Sequence, residues 1–470
     1  MTPSQPTVAI AGGGLAGLAA ACALSDAGFR VTLFEKRPFL GGRASSYEHP
    51  GTGEVVDNCQ HVLFKVCTNL VEFYQRIGVA DQIRWFDQMN FIEPGGRISV
   101  MKSSLLPAPL HTAPSFFGFS FLSGADKLAI SRALLPLTTT RPRDDGRSFQ
   151  QWLEAHGQTK NAIARFWYPI LVSALSEELD RISIPAAAQV VRESMKSPEA
   201  RHMGVPTVPL TELYNKAGDY LQARLGTLHF RRAVESFAPA ESGVRVSSST
   251  GDEHFDYFVA ALPFDALDRL LPPSSESAPV RKAVSHFENS PITGIHLWFD
   301  RQISDLDHAV LLDRTIQWMF HKSRLQPMRT EGSQGEGSYI ELVVSSSKTL
   351  IEKSRTEIVD LALAEVREFF PAARPANLIK STVIKEVNAT FSPRPGIDAV
   401  RPAAKTPWPN VFLAGDWTAT GWPATMEGAV RSGYLTAEAV SQAAGQARQF
   451  LVPDLKASGF MRLFGQPKVK

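Results

Sequence analysis

The sequence predicts an α/β fold, α+β overall, because a strand–loop–helix pattern occurs near each end of the chain. Residues 7–17 read TVAIAGGGLAG and residues 412–433 read FLAGDWTATGWPATMEGAVRSG. Each pattern begins with an apolar strand of the kind that is buried in a parallel sheet, then passes through a turn into a helix. We expect the two units to hold one extended cofactor from both sides.

The first pattern contains a GxGxxG motif in the context of a Rossmann-type fold. Gly12 permits the tight turn, Gly14 lets the backbone approach a pyrophosphate, and Gly17 allows close packing of helix on strand. The helix predicted through Leu18–Leu24 points its partly positive N-terminus at the phosphates. The predicted phosphate-binding residues are Gly12, Gly14, Leu15, Ala16 and Gly17.

The second strand, predicted over Arg30–Phe34, extends the cofactor site. It ends at Glu35, whose carboxylate is placed to accept hydrogen bonds from the hydroxyls of a ribose. Lys36 follows Glu35. In the next turn, Gly42 lets the chain fold back over the cofactor and Arg43 is available to neutralise pyrophosphate charge. Val234, in a later strand, is predicted to lie against the adenine.

The C-terminal pattern is predicted to bind the other end of the cofactor. Gly415 and Asp416 follow the strand, where a carboxylate can bind ribityl or phosphate-linked hydroxyls. Pro423 suits the first turn of a helix, and the amides of Thr425 and Met426 open that helix. These amides would stabilise negative charge on the ring system of the cofactor.

The domain organisation is predicted to be discontinuous. Residues 1–85, 205–275 and 395–447 would form the Rossmann-type cofactor-binding domain. Residues 86–204 and 276–394 would form an inserted substrate domain of mixed sheet and helices. Residues 448–470 would form a C-terminal tail.

Composition excludes several classes of function. The chain has 49 basic and 47 acidic residues without a long basic block, so we expect no nucleic-acid partner. Its three cysteines form no CxxC motif, which argues against a disulfide framework, and we predict no metal site. Since the first strand begins at Thr7, we expect no signal peptide and a cytoplasmic protein.

One uncharged stretch, residues 103–125, raises the question of membrane contact. It contains no Asp, Glu, Lys or Arg, but three prolines disfavour a continuous spanning helix. Two interpretations stay open, namely a loop packed on the substrate domain and a membrane-dipping entrance for an apolar substrate. The tail is either frayed or suited to anionic lipid, since it carries Lys456, Phe460, Met461, Arg462, Leu463, Phe464, Lys468 and Lys470.

The motifs together resemble the FAD-dependent amine oxidase and phytoene desaturase superfamily. The matching stretches are GGGLAGLAAA, FEKRPFLGGRASS and the C-terminal pattern quoted above. This resemblance implies FAD as the cofactor and an oxidoreductase activity. The sequence has no second GxGxxG motif for a nicotinamide, so the electron donor is left unknown.

Further stretches resemble the hydroxysqualene dehydroxylases of bacterial hopanoid synthesis. They are DNCQHV at 57–62, SPITGIHLWFD at 290–300, QWMFHK at 317–322 and ATFSPRPG at 389–396. The resemblance implies reduction of hydroxysqualene to squalene by hydride from the flavin, with the hydroxyl lost as water. It also implies a long-chain isoprenoid substrate and a peripheral position at the inner face of the cell membrane. Cys59 departs from the family's DNGQH pattern.

The candidate catalytic residues are His61 and Asp57. Of the two, His61 is the better proton donor near neutral pH. Three alternatives are a carotenoid or phytoene-type desaturase, which runs in the opposite direction, a flavin amine oxidase, and a lipid carrier without turnover. Assembly into a homo-oligomer is left open.

Overall fold

The computed structural model describes residues 5–326 and 337–464, so Lys468 and Lys470 of the tail lie outside the described residues. The strands are β1 Thr7–Ala11, β2 Arg30–Glu35, β3 Ser46–Glu48, β4 Val55–Asp57, β5 Leu63–Phe64, β6 Ile83–Phe86, β7 Gln88–Ile92, β8 Ile98–Lys102, β9 Met203–Pro206, β10 Thr227–Phe230, β11 Val234–Ala240, β12 Gly243–Ser248, β13 Gly251–Phe255, β14 Tyr257–Ala260, β15 Asn289–Phe299, β16 His308–Leu311, β17 Trp318–His321, β18 Ser338–Ser345, β19 Leu378–Phe391 and β20 Val411–Leu413.

The α-helices follow the same chain order. They are α1 Leu15–Asp26, α2 Thr68–Arg76, α3 Ala113–Gly118, α4 Gly124–Thr139, α5 Phe149–Ala155, α6 Lys160–Ala162, α7 Tyr168–Leu175, α8 Ile184–Met195, α9 Leu210–Gln222, α10 Phe264–Leu270, α11 Ser277–Val284, α12 Lys322–Leu325, α13 Lys348–Ile351, α14 Arg355–Phe369 and α15 Met426–Ala443. Within the described residues, no helix is long and apolar enough to span a membrane.

A five-stranded parallel sheet carries both end motifs. Its order is β10-β2-β1-β14-β20, so three separate stretches of the chain build it. Strands β1 and β14 are buried, as the apolar pattern predicts. The predicted α/β class is confirmed.

Close backbone contact joins the helices of the two end motifs. A Cβ on Gly433 of α15 would lie 2.4 Å from the carbonyl oxygen of Ala16 in α1. A Cβ on Gly17 would lie 2.0 Å from the carbonyl oxygen of Gly12. These glycines therefore let α1 pack tightly against both its own turn and α15, which brings the two ends of the chain to one site.

A second, seven-stranded sheet lies in the order β19-β15-β18-β17-β16-β7-β8. Its neighbours are antiparallel except for β16 and β7, which are parallel. Alternate residues point to opposite faces of a strand, and Met319 of β17 packs into the core with α14. Trp318 and Phe320 therefore face the other way, toward the cofactor side of the sheet.

The helices α4 to α8 pack into an apolar cluster of their own over part of this second sheet. A small sheet, β5-β9-β6, and the hairpins β3-β4 and β11-β12-β13 complete the strands described. Strands β6 and β9 pair with each other at the two positions where the domain boundaries were predicted. The domain boundaries themselves stay a prediction.

Candidate active site

One large cavity, of about 750 Å³, runs between the two sheets. Every predicted cofactor-binding residue lines it except Gly17, which instead holds α1 against the phosphate loop. His61 also lines it, whereas Asp57 does not. The lining residues predicted from sequence are Gly12, Gly14, Leu15, Ala16, Glu35, Lys36, Gly42, Arg43, His61, Val234, Gly415, Asp416, Thr425 and Met426.

Glu35 organises one end of the cavity. It is buried, and its carboxylate accepts hydrogen bonds from the backbone amides of Gly13 and Arg37, both at 2.7 Å. The nearest atom to a Cβ built on Gly14 is the Cα of Gly42, at 3.8 Å. The backbone of Gly14 is thus open to the cavity, as the approach of a phosphate requires.

Arg43 joins the two end motifs. Its Nη2 lies 2.6 Å from Oδ1 of Asp416, and its Nη1 donates to the carbonyl oxygen of Ala389 at 3.0 Å. Burial alone would lower the pKa of Arg43, but Asp416 raises it overall, so the guanidinium stays charged. The predicted contact of Arg43 with a pyrophosphate stays a prediction. Its ion pair with Asp416 holds the segment after β2 against the C-terminal motif.

The N-terminus of α15 opens onto the cavity. Thr425 caps the helix, since its Oγ1 accepts from the amide of Gly428 at 3.0 Å. The amides of Met426 and Glu427 have no acceptor within the helix. With the positive end of the helix dipole, they form a site for developing negative charge.

His61 is neutral at physiological pH. Burial lowers the pKa of its imidazole below the ordinary 6.5. Its Nδ1 lies 2.7 Å from the carbonyl oxygen of Cys59, which can only accept, so Nδ1 carries the proton. The remaining nitrogen, Nε2, is a hydrogen-bond and proton acceptor. This geometry favours a base over the proton donor that the sequence predicted.

Asp57 lies behind the cavity wall in a buried charged cluster. The Nζ of Lys322 is 2.6 Å from Asp57 Oδ2, 2.8 Å from Gln60 Oε1 and 3.4 Å from Glu341 Oε2. Burial raises the pKa of Glu341 to about 7. The contacts favour a structural role for Asp57, because Lys322 bonds both Asp57 and Gln60 in the segment that leads to His61.

The far part of the cavity is apolar and was not found from the sequence. It is lined by Met89, Phe91, Ile170, Ile292, Val310, Trp318, Phe320 and Val343. Three of them, Trp318, Phe320 and Val343, could have been located from the alternation of side chains in β17 and β18, because every second residue of these strands faces the cavity. This part of the site suits the hydrocarbon portion of a ligand.

Comparisons with known proteins identify the family. The model of the family described as flavin containing amine oxidoreductase matches residues 15–441. The chain belongs to this family. A probable zeta-carotene desaturase of Synechococcus elongatus is 28% identical, with 93% of this chain and 98% of that protein covered. A 15-cis-phytoene desaturase of the same organism is 27% identical, with 92% and 95% covered.

A solved structure supports the fold. An oxidoreductase from Methanosarcina mazei aligns with a TM-score of 0.70 at 16% identity, covering 91% of this chain and 98% of its own. At that identity the likeness concerns the fold alone. It agrees with the α/β architecture described above.

The chain is an FAD-dependent oxidoreductase. The residues present fit FAD, because Gly14 is open at the phosphate loop, Glu35 lies at one end of the cavity and the first amides of α15 lie at the other. The prediction of a hydroxysqualene dehydroxylase is wrong. The curated relatives are zeta-carotene and phytoene desaturases, which agrees with the desaturase alternative.

The open space at Gly14 makes a sharp test of the cofactor site. Gly14 has φ −78° and ψ 174°, which alanine adopts easily, and its Cβ would touch little protein. We expect Gly14→Ala to bind FAD about 10- to 100-fold more weakly, the effect of about 1–3 kcal/mol of overpacking against the phosphates. Isothermal titration of the apoprotein with FAD measures this.

The control is Gly124→Ala, at another glycine with open space around it. Both apoproteins should melt at the wild-type temperature. Unchanged FAD affinity in Gly14→Ala would show that the phosphates do not approach this residue.

Proposed function

We propose that the protein is a desaturase that dehydrogenates a long apolar isoprenoid. The observation that carries the apolar substrate is one continuous cavity, in which the predicted FAD-binding residues adjoin an apolar region lined by side chains such as Phe91, Trp318 and Phe320. Dehydrogenation as the direction of the reaction is supported by the desaturase relatives, each matched over more than 90% of this chain. FAD, when bound, supplies the acceptor for a hydride from a C–H bond.

The protein's own residues have three tasks in such a reaction. The apolar wall excludes water and aligns the chain of the substrate. The first amides of α15 stabilise negative charge at the cofactor end of the cavity. His61 Nε2 accepts the proton from the carbon next to the one that loses hydride, which completes the new double bond.

The amine oxidase alternative has less support. An enzyme of that kind is expected to place a lysine at the flavin and an aromatic cage around the amine. Among the described residues that line the cavity, the only lysine is Lys36, beside Glu35 at the phosphate-loop end. Lys322 is instead held by Asp57 and Gln60.

Filling the apolar part of the cavity tests the proposal. Ala174 of α7 lines the cavity and is itself exposed there, so Ala174→Trp adds bulk without displacing core residues. We expect its KM for phytoene or zeta-carotene to rise about tenfold or more, from about 1–3 kcal/mol of lost fit. Steady-state formation of the longer polyene gives kcat and KM.

Ala174→Ser, which adds one hydroxyl, is the control. Both variants should retain the FAD content and melting temperature of the wild type. Equal KM values for Ala174→Trp and wild type would mean that the substrate does not occupy the apolar region.

The site of action is proposed to be an anionic membrane surface. The stretch 103–125 is in part buried, with His111, Phe116 and Phe119 inside, and in part strongly exposed. The C-terminal tail contacts this stretch, since the amide of Phe460 donates to the carbonyl oxygen of Ala108 at 2.8 Å. We define the apolar patch as the exposed side chains Leu105, Leu106, Leu110, Phe117, Leu128, Leu135, Phe460 and Leu463.

Charge and composition favour lipid as the occupant of this patch. Exposed Arg132 and Arg462 lie on the same elements as patch residues, and exposed Lys102 directly precedes the stretch 103–125, as expected of a surface that meets anionic headgroups. A carotene-like substrate is dissolved in the membrane, so contact there would give it a path to the cavity. Cytoplasmic location at the inner face of the membrane is part of this proposal.

Removing apolar side chains from the patch should weaken membrane binding. We expect Leu105→Asp with Phe117→Asp to bind vesicles of phosphatidylglycerol and phosphatidylcholine about tenfold or more weakly, since each side chain contributes about 1.5–3 kcal/mol when buried. Co-sedimentation measures the affinity. Leu225→Asp, at an exposed leucine elsewhere, is the control and should bind like wild type. A double variant that also binds like wild type would contradict the proposal.

A further inference from the structure

Arg201 differs from the other arginines that line the cavity. Arg37 donates to the carbonyl oxygen of Gly42 at 2.9 Å, Arg43 pairs with Asp416 at 2.6 Å, and Arg269 pairs with Asp265 at 3.3 Å. Arg201 also lines the cavity, and its buried Nη1 has no hydrogen-bond acceptor in the part of the chain that the structure describes. In residues 5–326 and 337–464 no carboxylate forms an ion pair with it.

Among the described residues, none near Arg201 offers it a counter-charge. Glu193 lines the same cavity, but its carboxylate lies 2.5 Å from Nζ of Lys196. His111 is fully buried, and both its ring nitrogens lack partners within the described chain. Burial, with a contribution from Arg201, lowers the pKa of His111 to about 4, so this imidazole is neutral.

Arg201 itself stays charged near neutral pH. Burial lowers the pKa of its guanidinium to about 10, still well above physiological pH. A cation without a counterion in an apolar wall destabilises the site unless a ligand brings negative charge. The cavity therefore contains a cationic position that a pure hydrocarbon would leave unpaired.

We propose that Arg201 binds the carboxylate of an apolar ligand, so that the cavity takes a long apolar chain ending in an acid group. A guanidinium pairs with a carboxylate through two parallel hydrogen bonds. The inference rests on the proposed function only in placing a long apolar chain in the cavity. It adds an acid end group, which phytoene and zeta-carotene lack, so the outcome with those two hydrocarbons does not bear on it.

Fluorescence titration of the holoenzyme tests this inference. The probes are cis-parinaric acid, a straight-chain polyene acid, and retinoic acid, a methyl-branched isoprenoid acid, each beside its methyl ester. We expect wild type to bind at least one acid about tenfold or more tightly than its ester, because a hydrogen bond to a charged group is worth about 1.5–3 kcal/mol. The acid that binds more tightly shows whether a straight or a methyl-branched chain fits the cavity better.

Three variants assign the preference to Arg201. Arg201→Gln should bind acid and ester equally, and Arg201→Lys should keep part of the preference. Arg245→Gln, which removes an exposed charge of β12 outside both the cavity lining and the apolar patch, should behave like wild type. Equal binding of acid and ester by wild type, or a full preference in Arg201→Gln, would overturn the inference.

The outcome is separable from that of the proposed function. The titration requires no turnover, and the comparison of acid with ester in wild type stands even where a variant does not fold. A protein that binds the acid through Arg201 but dehydrogenates no polyene would contradict the desaturase proposal and leave this inference intact.

Discussion

His61→Gln is expected to slow dehydrogenation by about 10²- to 10⁴-fold, the usual contribution of a positioned acid or base. The Nδ1 of His61 donates to the carbonyl oxygen of Cys59, so Nε2 is the proton acceptor in the cavity. Glutamine keeps a hydrogen-bonding side chain but cannot take up the proton. The loss should appear in kcat, with KM and FAD content close to wild type.

The pH profile of the wild type separates a base from an acid at His61. A base must be neutral, and burial lowers the pKa of His61 below 6.5. The rate of dehydrogenation should therefore stay constant as pH falls to 6.5 and decline only at lower pH. In His61→Gln this acidic limb should disappear. A rate that instead falls as pH rises through 6.5 would mean that His61 acts as a proton donor.

Lys322→Met is expected to lower the free energy of unfolding by about 3–5 kcal/mol, the cost of removing one member of a buried ion pair. Lys322 and Asp57 are both buried, and their charged atoms lie 2.6 Å apart. Methionine leaves the carboxylate of Asp57 without its cation. Denaturant unfolding measures the change, and slower turnover should accompany it because Lys322 also holds Gln60, beside His61.

Glu341→Gln is the matched variant in the same cluster. One cation faces two carboxylates, and Asp57 is the closer one, so Glu341 is the group that keeps its proton. Burial raises the pKa of Glu341 from 4.5 to about 7. Its protonated form therefore favours the folded state fully below pH 4.5, and that contribution is lost as pH rises through about 7.

The two variants should consequently differ in how their free energy of unfolding compares with that of the wild type as pH changes. Glu341→Gln has no proton to lose and should lose less stability than wild type between pH 5 and pH 8. Lys322→Met should be less stable than wild type at both pH values. Equal destabilisation by the two variants would contradict this assignment of charges.

Local sequence patterns were sufficient to predict residues that line one cavity. The turn at Gly12, the open backbone of Gly14 and the acid at Glu35 each depend on neighbours a few residues away, so a single chain shows them. The same holds for Thr425 at the start of α15. These residues reach one cavity because the carboxyl ends of parallel strands lie at the same edge of the sheet.

Long-range contacts explain what the sequence did not reveal. Arg43 meets Asp416 from the opposite end of the chain, and Lys322 meets Asp57 from 265 positions away in the sequence. No spacing rule encodes either contact. The direction of the reaction was also beyond local patterns, because an apolar cavity beside FAD serves reduction and dehydrogenation equally well.

A single turnover without oxygen decides whether the protein is a desaturase. Oxidised holoenzyme is mixed with phytoene or zeta-carotene in lipid vesicles, and the yellow absorbance of the flavin is followed with the spectrum of the polyene. A desaturase should lose the flavin absorbance while an equal amount of a longer conjugated product forms. Flavin that stays oxidised with both polyenes would contradict the proposed function.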